Sequence, residues 1–195
     1  MSHSKEVYCK ELSVDLVPKM VKRLNDYDMI VEIHPEFSFD QQNDSGFLPF
    51  KFRFKDTSLI KLKDKDFKTG FEIYISDFDL QKAKSDLQPK LSFLDKLLGK
   101  KHTESAFAAP EIEKRLIHCK KQVSFVWHSD DPFEFRFASM TSAVLTELTN
   151  GVCFFPADNI WYDNSYIAEQ AFRETLTFEN SLDERELKCF EFDGW

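Results

Sequence analysis

Hydrophobic and polar residues alternate along several segments of the chain, with a period that switches between helical and extended. Between residues 15 and 27, apolar side chains recur every three or four positions, which predicts an amphipathic helix with Pro18 in its first turn. Residues 29–33, 50–55 and 71–75 alternate instead and predict strands. The clearest is 50–55, where phenylalanines on one face oppose basic residues on the other. Successive strands joined by loops indicate an antiparallel meander.

The second half of the chain carries the strongest helix signal. A strand with alternating apolar residues is predicted at 123–127 and is followed by Asp131-Pro132-Phe133-Glu134. This order fits an N-cap, a proline at the first helical position and a capping-box glutamate. Apolar residues then recur at helical spacing up to Asn150-Gly151, a pair that favours a helix stop. We therefore predict a helix over about 132–149.

A hairpin and a further helix are predicted after this stop. Residues 152–155 and 160–162 are apolar and flank a polar turn, which is typical of two paired strands. A helix capped by Asp163, Asn164 or Ser165 is then expected to run to about residue 176.

These elements predict a single α+β domain over residues 1–195. A mostly antiparallel sheet would be covered on one face by the helices 132–149 and 163–176. Leucines at 91–98, ended by Gly99, predict one more short helix. The segment 102–110 is small and polar, so the alternative of two subdomains would place their boundary there.

Charge is divided unevenly between the two halves. Residues 1–101 carry 18 Lys and Arg against 17 Asp and Glu, whereas residues 102–195 carry 8 against 17. An excess of nine acidic residues in the second half predicts a cationic partner and disfavours nucleic acid, because the summed surface charge steers association. The alternative is that the acidic helices only keep the protein in solution.

The composition excludes several classes of protein. Hydrophobic residues make up 42% of the chain and include 21 Phe, which suffices for a core and argues against disorder. No apolar stretch has the length of a membrane span, and residues 1–6 lack the apolar run of a secretory signal, so a cytoplasmic protein is expected. The cysteines are far apart and are expected to be free thiols: Cys9, Cys119, Cys153 and Cys189.

Candidate catalytic residues are few. His128-Ser129-Asp130-Asp131 contains the residue types of a hydrolytic triad, but neighbours at a strand end point apart. The adjacent His118 and Cys119 face the same objection. The five histidines lack metal-ligand spacing and the five glycines form no phosphate loop, so neither metal nor cofactor is predicted. The basic and aromatic strand 50–55 would suit nucleic acid, yet an acidic pI of about 5.2 favours a core role for its rings.

Several motifs occur in order between residues 123 and 162. A strand and a helix ending in Leu145-Thr-Glu-Leu-Thr-Asn-Gly lead into Val152-Cys-Phe-Phe-Pro and the aromatic pair Trp161-Tyr162. This segment resembles bacterial immunity-type proteins of toxin systems, in which such a helix runs into a strand, a turn and an aromatic pair. The resemblance implies a small cytoplasmic α+β protein that binds and blocks a toxin domain. It assigns no functional residue.

The leading hypothesis is therefore a non-catalytic immunity- or antitoxin-like protein that neutralises a basic toxin domain. The alternatives are a small hydrolase that uses His128 with a carboxylate, and a structural or adaptor module. The predicted partner-binding residues combine the hairpin rings with nearby and C-terminal acids: Asp158, Trp161, Tyr162, Asp163, Glu179, Asp183, Glu184 and Glu186. The rings would anchor the partner and the acids would steer its approach. Burial of Trp161 beneath the following helix is the structural alternative.

The capping motif gives a first testable prediction. Replacing the N-cap side chain by Asp131→Ala should lower the free energy of unfolding by about 1 kcal/mol, because a backbone N–H at the helix start loses its acceptor. Thermal or urea unfolding measures this difference. An unchanged midpoint would contradict the capping assignment.

Overall fold

The fold is α+β, as predicted. The computed structural model describes residues 2–39, 44–57, 60–87, 106–128, 132–162, 165–183, 187 and 189–195. The strands are β1 (Ser2–Cys9), β2 (Met29–Ile33), β3 (Asp44–Phe54), β4 (Phe67–Asp77), β5 (Lys121–His128), β6 (Val152–Phe155), β7 (Ile160–Tyr162) and β8 (Phe190–Glu191). The helices are α1 (Leu16–Leu24), α2 (Leu80–Asp86), α3 (Pro110–Leu116), α4 (Pro132–Thr149) and α5 (Ile167–Asn180), with a 3-10 turn at Ile60–Leu62.

All the described strands belong to one antiparallel sheet. Its order is β2-β3-β4-β5-β1-β6-β7, and β8 pairs with the start of β4. The predicted meander is confirmed, since β2, β3 and β4 pair in succession. The sequence pattern did not predict β1, which lies centrally and pairs with β5 from Ser2↔His128 to Cys9↔Lys121. Its alternation is hidden because Val7 and Tyr8, on opposite faces, are both buried.

The main core lies between one face of the sheet and the helices α1, α4 and α5. Phenylalanine rings dominate it, and Phe137 of α4 lies 4.6 Å from Phe50 and 4.9 Å from Phe52, measured between ring centroids. Each fully buried Phe contributes roughly 1.5–3 kcal/mol through its removal from water. The alternation of 50–55 therefore serves packing, as the sequence suggested.

A smaller apolar cluster covers part of the opposite face. It contains Tyr8, Val152 and the half-buried Trp161 from the sheet, with Leu80 of α2 and Leu116 of α3 packed against them. These two short helices were not predicted. Asp79 starts α2 by accepting a hydrogen bond from the Lys82 N–H at 2.9 Å, and Pro110 opens α3.

The predicted helix over 132–149 is confirmed, whereas the start of α5 is corrected. The N-cap position of α5 is Tyr166, with a φ of 63° and no side-chain cap hydrogen bond, so Ser165 is not the N-cap. The helix also continues beyond residue 176 to Asn180. The capping candidates Asp131, Asp163 and Asn164 and the leucine stripe 91–98 lie outside the described residues.

Arg136 of α4 is fully buried beneath α5. Its Nε and one terminal nitrogen each donate to Glu179 at 2.7 Å, and its terminal nitrogens also donate to Asp28 at 2.8 and 3.2 Å. The guanidinium lies 5.0 Å from the centre of the Phe54 ring. A buried charge is tolerated only when it is paired and hydrogen-bonded, and here two carboxylates meet both needs.

Removal of this guanidinium should be strongly destabilising. Arg136→Ala leaves two partly buried carboxylates without their counter-ion, so the free energy of unfolding should fall by about 3–5 kcal/mol. Urea unfolding followed by circular dichroism measures the loss. The control is Arg173→Ala, which removes an exposed arginine from α5 and should change stability by less than about 0.5 kcal/mol. Equal effects of the two substitutions would contradict this role of Arg136.

Candidate functional site

The β6–β7 hairpin forms one edge of the sheet. β6 is the only partner of β7 among the described strands. An edge strand offers backbone N–H and C=O groups to a strand of another protein. The other edge, β2, is blocked in part, since the side-chain oxygen of Asn25 accepts the Val31 N–H at 2.7 Å. β7 has no second strand beside it in the described part of the chain.

The two predicted anchor rings lie on opposite faces of this hairpin, because successive residues of a strand alternate. Trp161 stacks on Phe154, with ring centroids 4.2 Å apart, and also contacts Phe107 and Tyr8 in the smaller cluster. It is half-buried against this cluster. Tyr162 lies on the α5 side, with the Lys5 ammonium 5.3 Å from its ring centre. A partner that binds one face of the hairpin therefore cannot contact both rings in the same way.

The predicted acidic residues are not all together. Asp158 is exposed in the turn between β6 and β7, close to Tyr162. Glu179 lies twelve residues beyond the start of α5, roughly 18 Å along the helix, and is bound to Arg136. Asp183 is exposed just past that far end. Asp163, Glu184 and Glu186 lie outside the described residues.

Tyr166 is a site residue that the sequence reasoning missed. Its side chain is 79% exposed, and its φ of 63° places a bulky residue in the left-handed region. That conformation is uncommon for an aromatic residue, and such strain persists mainly where the surroundings or the function require it. The exposed Ile160 lies on β7 nearby in the chain. The sequence did contain a signal for this residue, because an aromatic side chain stands at the helix start where a polar N-cap was expected.

Burial and nearby carboxylates affect the ionisation of Tyr162 at this edge. Burial, together with the charges of Glu174 and Asp158, raises the pKa of Tyr162 to about 12. The phenol therefore stays protonated at neutral pH and remains a hydrogen-bond donor. Glu174 is also paired with the Lys5 ammonium, 3.8 Å away, so Asp158 is the carboxylate that would attract a cationic group at this edge.

Much of the acidic excess is paired inside the protein. Six ion pairs among the described residues join basic side chains of the first half to acids of the second: Lys5–Glu174, Arg23–Glu147, Arg23–Glu169, Lys65–Glu191, Lys68–Asp193 and Lys84–Glu113. The charge division seen in the sequence thus also joins the two halves of one fold. The field available to a partner is weaker than the sequence count implies.

His128 and Glu134 are the only part of the hydrolase hypothesis that the described residues bring together. The Nδ1 atom of His128 lies 3.6 Å from the Glu134 carboxylate, which also accepts the His128 backbone N–H at 2.8 Å. That backbone contact links the end of β5 to the first turn of α4. Ser129, Asp130 and Asp131 lie outside the described residues.

Other candidate nucleophiles are buried. Lys5 donates to the Ser139 hydroxyl at 2.9 Å, a pairing that some hydrolases use, but Ser139 has no exposed surface for a substrate to reach. Burial raises the pKa of Cys9 to about 12 and that of Cys153 to about 11, so both thiols are protonated at neutral pH. A protonated, buried thiol is a poor nucleophile.

Comparisons with protein-family models, with curated proteins and with solved structures found no match for this chain. The resemblance to immunity-type proteins therefore depends on the motifs of residues 123–162 alone. Across the described part of the chain, no helix is long and apolar enough to cross a membrane. The same residues contain no group of three His, Cys, Asp or Glu side chains placed to bind a metal ion.

The burial of the thiols predicts their reactivity. In the native protein at pH 8, a disulfide reagent such as dithionitrobenzoate should modify Cys189 first, because it is only half-buried while Cys9, Cys119 and Cys153 are buried. After unfolding in guanidinium without reductant, all four should react. Rapid native reaction of more than one thiol, or fewer than four after unfolding, would contradict this assignment.

Proposed function

We propose that this protein is a non-catalytic binding protein that captures a basic protein partner at the β7 edge. Its expected biological role is that of an immunity-type inhibitor of a toxin domain. The observation that supports this most is the open edge strand with exposed apolar and acidic side chains beside it. An extended segment of the partner would add to β7 through backbone hydrogen bonds.

Tyr166 and Ile160 would provide the apolar anchors of this interface. Both are exposed, and a tyrosine supplies a large contact area with few rotatable bonds to order. Because Tyr166 is held in the left-handed region at the start of α5, its backbone is fixed before the partner arrives. Tyr162 would add a phenolic donor beside them. Trp161 would support the hairpin from its other face, where it packs on Phe154 in the smaller cluster.

Acidic side chains around the hairpin would steer the partner and orient it. Asp158 is exposed at the tip of the turn, and Asp163 follows β7 directly in the chain. The predicted acids near the end of α5, Glu179 and Asp183, lie too far along the helix to share this contact. Opposite charge mainly accelerates association, and salt reduces that gain.

Two substitutions test the proposal. The partner is first obtained by co-purification with the tagged protein from the cells in which the protein naturally occurs. Tyr166→Ser should weaken binding about tenfold or more, chiefly through faster dissociation, because an anchor ring is lost. Asp158→Asn should slow association and flatten its dependence on salt, with dissociation nearly unchanged. Stopped-flow mixing across a salt series measures both rates.

The matched control is Tyr74→Ser, which removes another exposed tyrosine from the free face of the sheet, away from β7. It should leave both rates unchanged. Joint neutralisation of Asp183, Glu184 and Glu186 tests the C-terminal acids in the same assay. Equal binding by the Tyr166 and Tyr74 variants, or association indifferent to salt, would overturn the proposed surface.

A further inference from the structure

β4 extends beyond the strand that lies beside it. β5 pairs only with Glu72–Asp77, so β5 leaves the first part of β4 open on that side. The chain covers part of this edge with its own β8. The residue after β8, Phe192, donates its N–H to the Asp66 carbonyl at 2.9 Å. Residues 66–71 thus form a β4 edge that accepts an added strand.

Little of the C-terminal segment, residues 189–195, is buried. Cys189 and Phe192 are half-buried and its other residues are exposed, including Phe190 at 57% and Trp195 at 49%. Its ion pairs with the sheet are exposed as well. Exposed ion pairs contribute little to stability, and a segment with few buried contacts opens locally more often than the core. These features are those of a strand that can leave while the rest of the sheet stays folded.

The C-terminal segment is acidic and aromatic, and the surface under it is basic. Lys65 pairs with Glu191, and the Lys68 ammonium donates to Asp193 at 2.6 Å. The Lys51 ammonium lies 5.3 Å from the centre of the Phe192 ring, a contact that aromatic faces make with cations. All three lysines lose these contacts when the segment leaves. The uncovered surface therefore favours an acidic and aromatic replacement.

The C-terminal segment does not fill the surface that it covers. A pocket of about 500 Å³ remains between it and the free face of the sheet, lined by Phe47 and Pro49 on one side and by Trp195 on the other. Gly194 also lines this pocket, and a Cβ atom there would have no neighbour within 4 Å. The φ of Gly194 is 128°, so a side chain at this position would strain the chain's own backbone. A different segment with an apolar side chain at this point would bury more apolar surface.

We propose that the β4 edge is a second docking site, which binds an extended acidic and aromatic segment of a protein partner. The partner's segment displaces residues 190–195 and pairs with β4 through its backbone, as β8 does. Its acidic side chains bind Lys65 and Lys68, and an apolar side chain enters the pocket. The chain's own segment competes for the same edge and so lowers the apparent affinity for the partner. This partner is opposite in charge to the one proposed for β7, so neither site depends on the other.

Hydrogen exchange of the wild-type chain provides the first test. The amides of residues 190–195 should exchange at least about tenfold faster than those of Glu72–Asp77, because the C-terminal segment opens without the rest of the sheet. Mass spectrometry of peptic fragments measures both rates. Equal protection of the two segments would overturn the proposal, since a strand that opens only with the whole fold cannot be displaced by a partner.

Peptide binding provides the second test. The probe is a labelled peptide with the sequence of residues 190–195, Phe-Glu-Phe-Asp-Gly-Trp. The receptor is the full chain with Phe192→Ser and Trp195→Ser, which weaken its own segment. This variant should bind the peptide at least about tenfold more tightly than the wild-type chain does, because less competition remains. Fluorescence anisotropy measures both affinities, and equal affinities or no saturable binding would overturn the proposal.

A charge-reversed peptide provides the matched control. Phe-Lys-Phe-Lys-Gly-Trp keeps the rings and should bind the receptor variant at least about tenfold less tightly than the acidic peptide. Adding Lys68→Glu to the receptor should reduce this preference about fivefold or more, because one complementary charge becomes repulsive. Lys22→Glu changes an exposed lysine of α1, on the other face of the sheet, and should leave the preference unchanged. A preference that is absent, or that Lys68→Glu does not reduce, would contradict the assigned contacts.

A third peptide tests the pocket. Phe-Glu-Phe-Asp-Leu-Trp carries leucine in place of glycine and should bind the receptor variant about threefold or more tightly than the acidic peptide, since it buries additional apolar surface. Weaker binding would show that the pocket takes no side chain of the docked segment.

Sedimentation equilibrium distinguishes a second copy of the chain from a different partner. The wild-type chain should be monomeric, because its own segment already covers the edge at a high effective concentration. A dimer that is lost in the variant with Phe192→Ser and Trp195→Ser would identify a second copy as the occupant and overturn the assignment to another protein.

Discussion

The guanidinium of Arg136 joins three elements that lie far apart in the sequence. It extends from α4 and binds Asp28, just before β2, and Glu179, near the end of α5. Because it lies within a phenylalanine-rich core, water cannot replace either carboxylate at low cost. The far end of α5 is therefore fixed against α4 and the start of β2. The pairing of β7 with β6 sets the position of the candidate binding edge, which precedes α5 in the chain.

Electrostatics act at two levels in this protein. Within the fold, acids of the second half pair with bases of the first, and Arg23 alone binds both Glu147 of α4 and Glu169 of α5. Such pairs each contribute little when exposed, but together they select one arrangement of the two halves. What remains for a partner is local, with Asp158 at the hairpin turn as the clearest case. The net charge of a sequence segment therefore includes acids that pair within the fold as well as acids that remain available to a partner.

Two parts of the sheet are incompletely covered. The β7 edge offers backbone groups and exposed side chains to a protein, whereas the C-terminal segment covers only part of the free face beside β4. An incompletely covered sheet is where a compact α+β fold exposes apolar surface.

Local periodicity determined a large part of the fold. Periodicity predicted the helices α1 and α4, the meander and the β6–β7 hairpin, because the apolar positions of each element repeat within one segment. Such a repeat is visible without knowing which residues cover it. The sequence pattern did not predict β1, the short helices α2 and α3 or the C-terminal strand β8, since their burial comes from residues far away in the chain. The same limit applies to the sites. The sequence placed an aromatic and acidic hairpin at 158–163, but only the tertiary structure turned Trp161 away, bound Glu179 to Arg136 and exposed Tyr166. Which side chain is free to bind depends on the neighbours that the fold assigns to it, and those neighbours are not local in sequence.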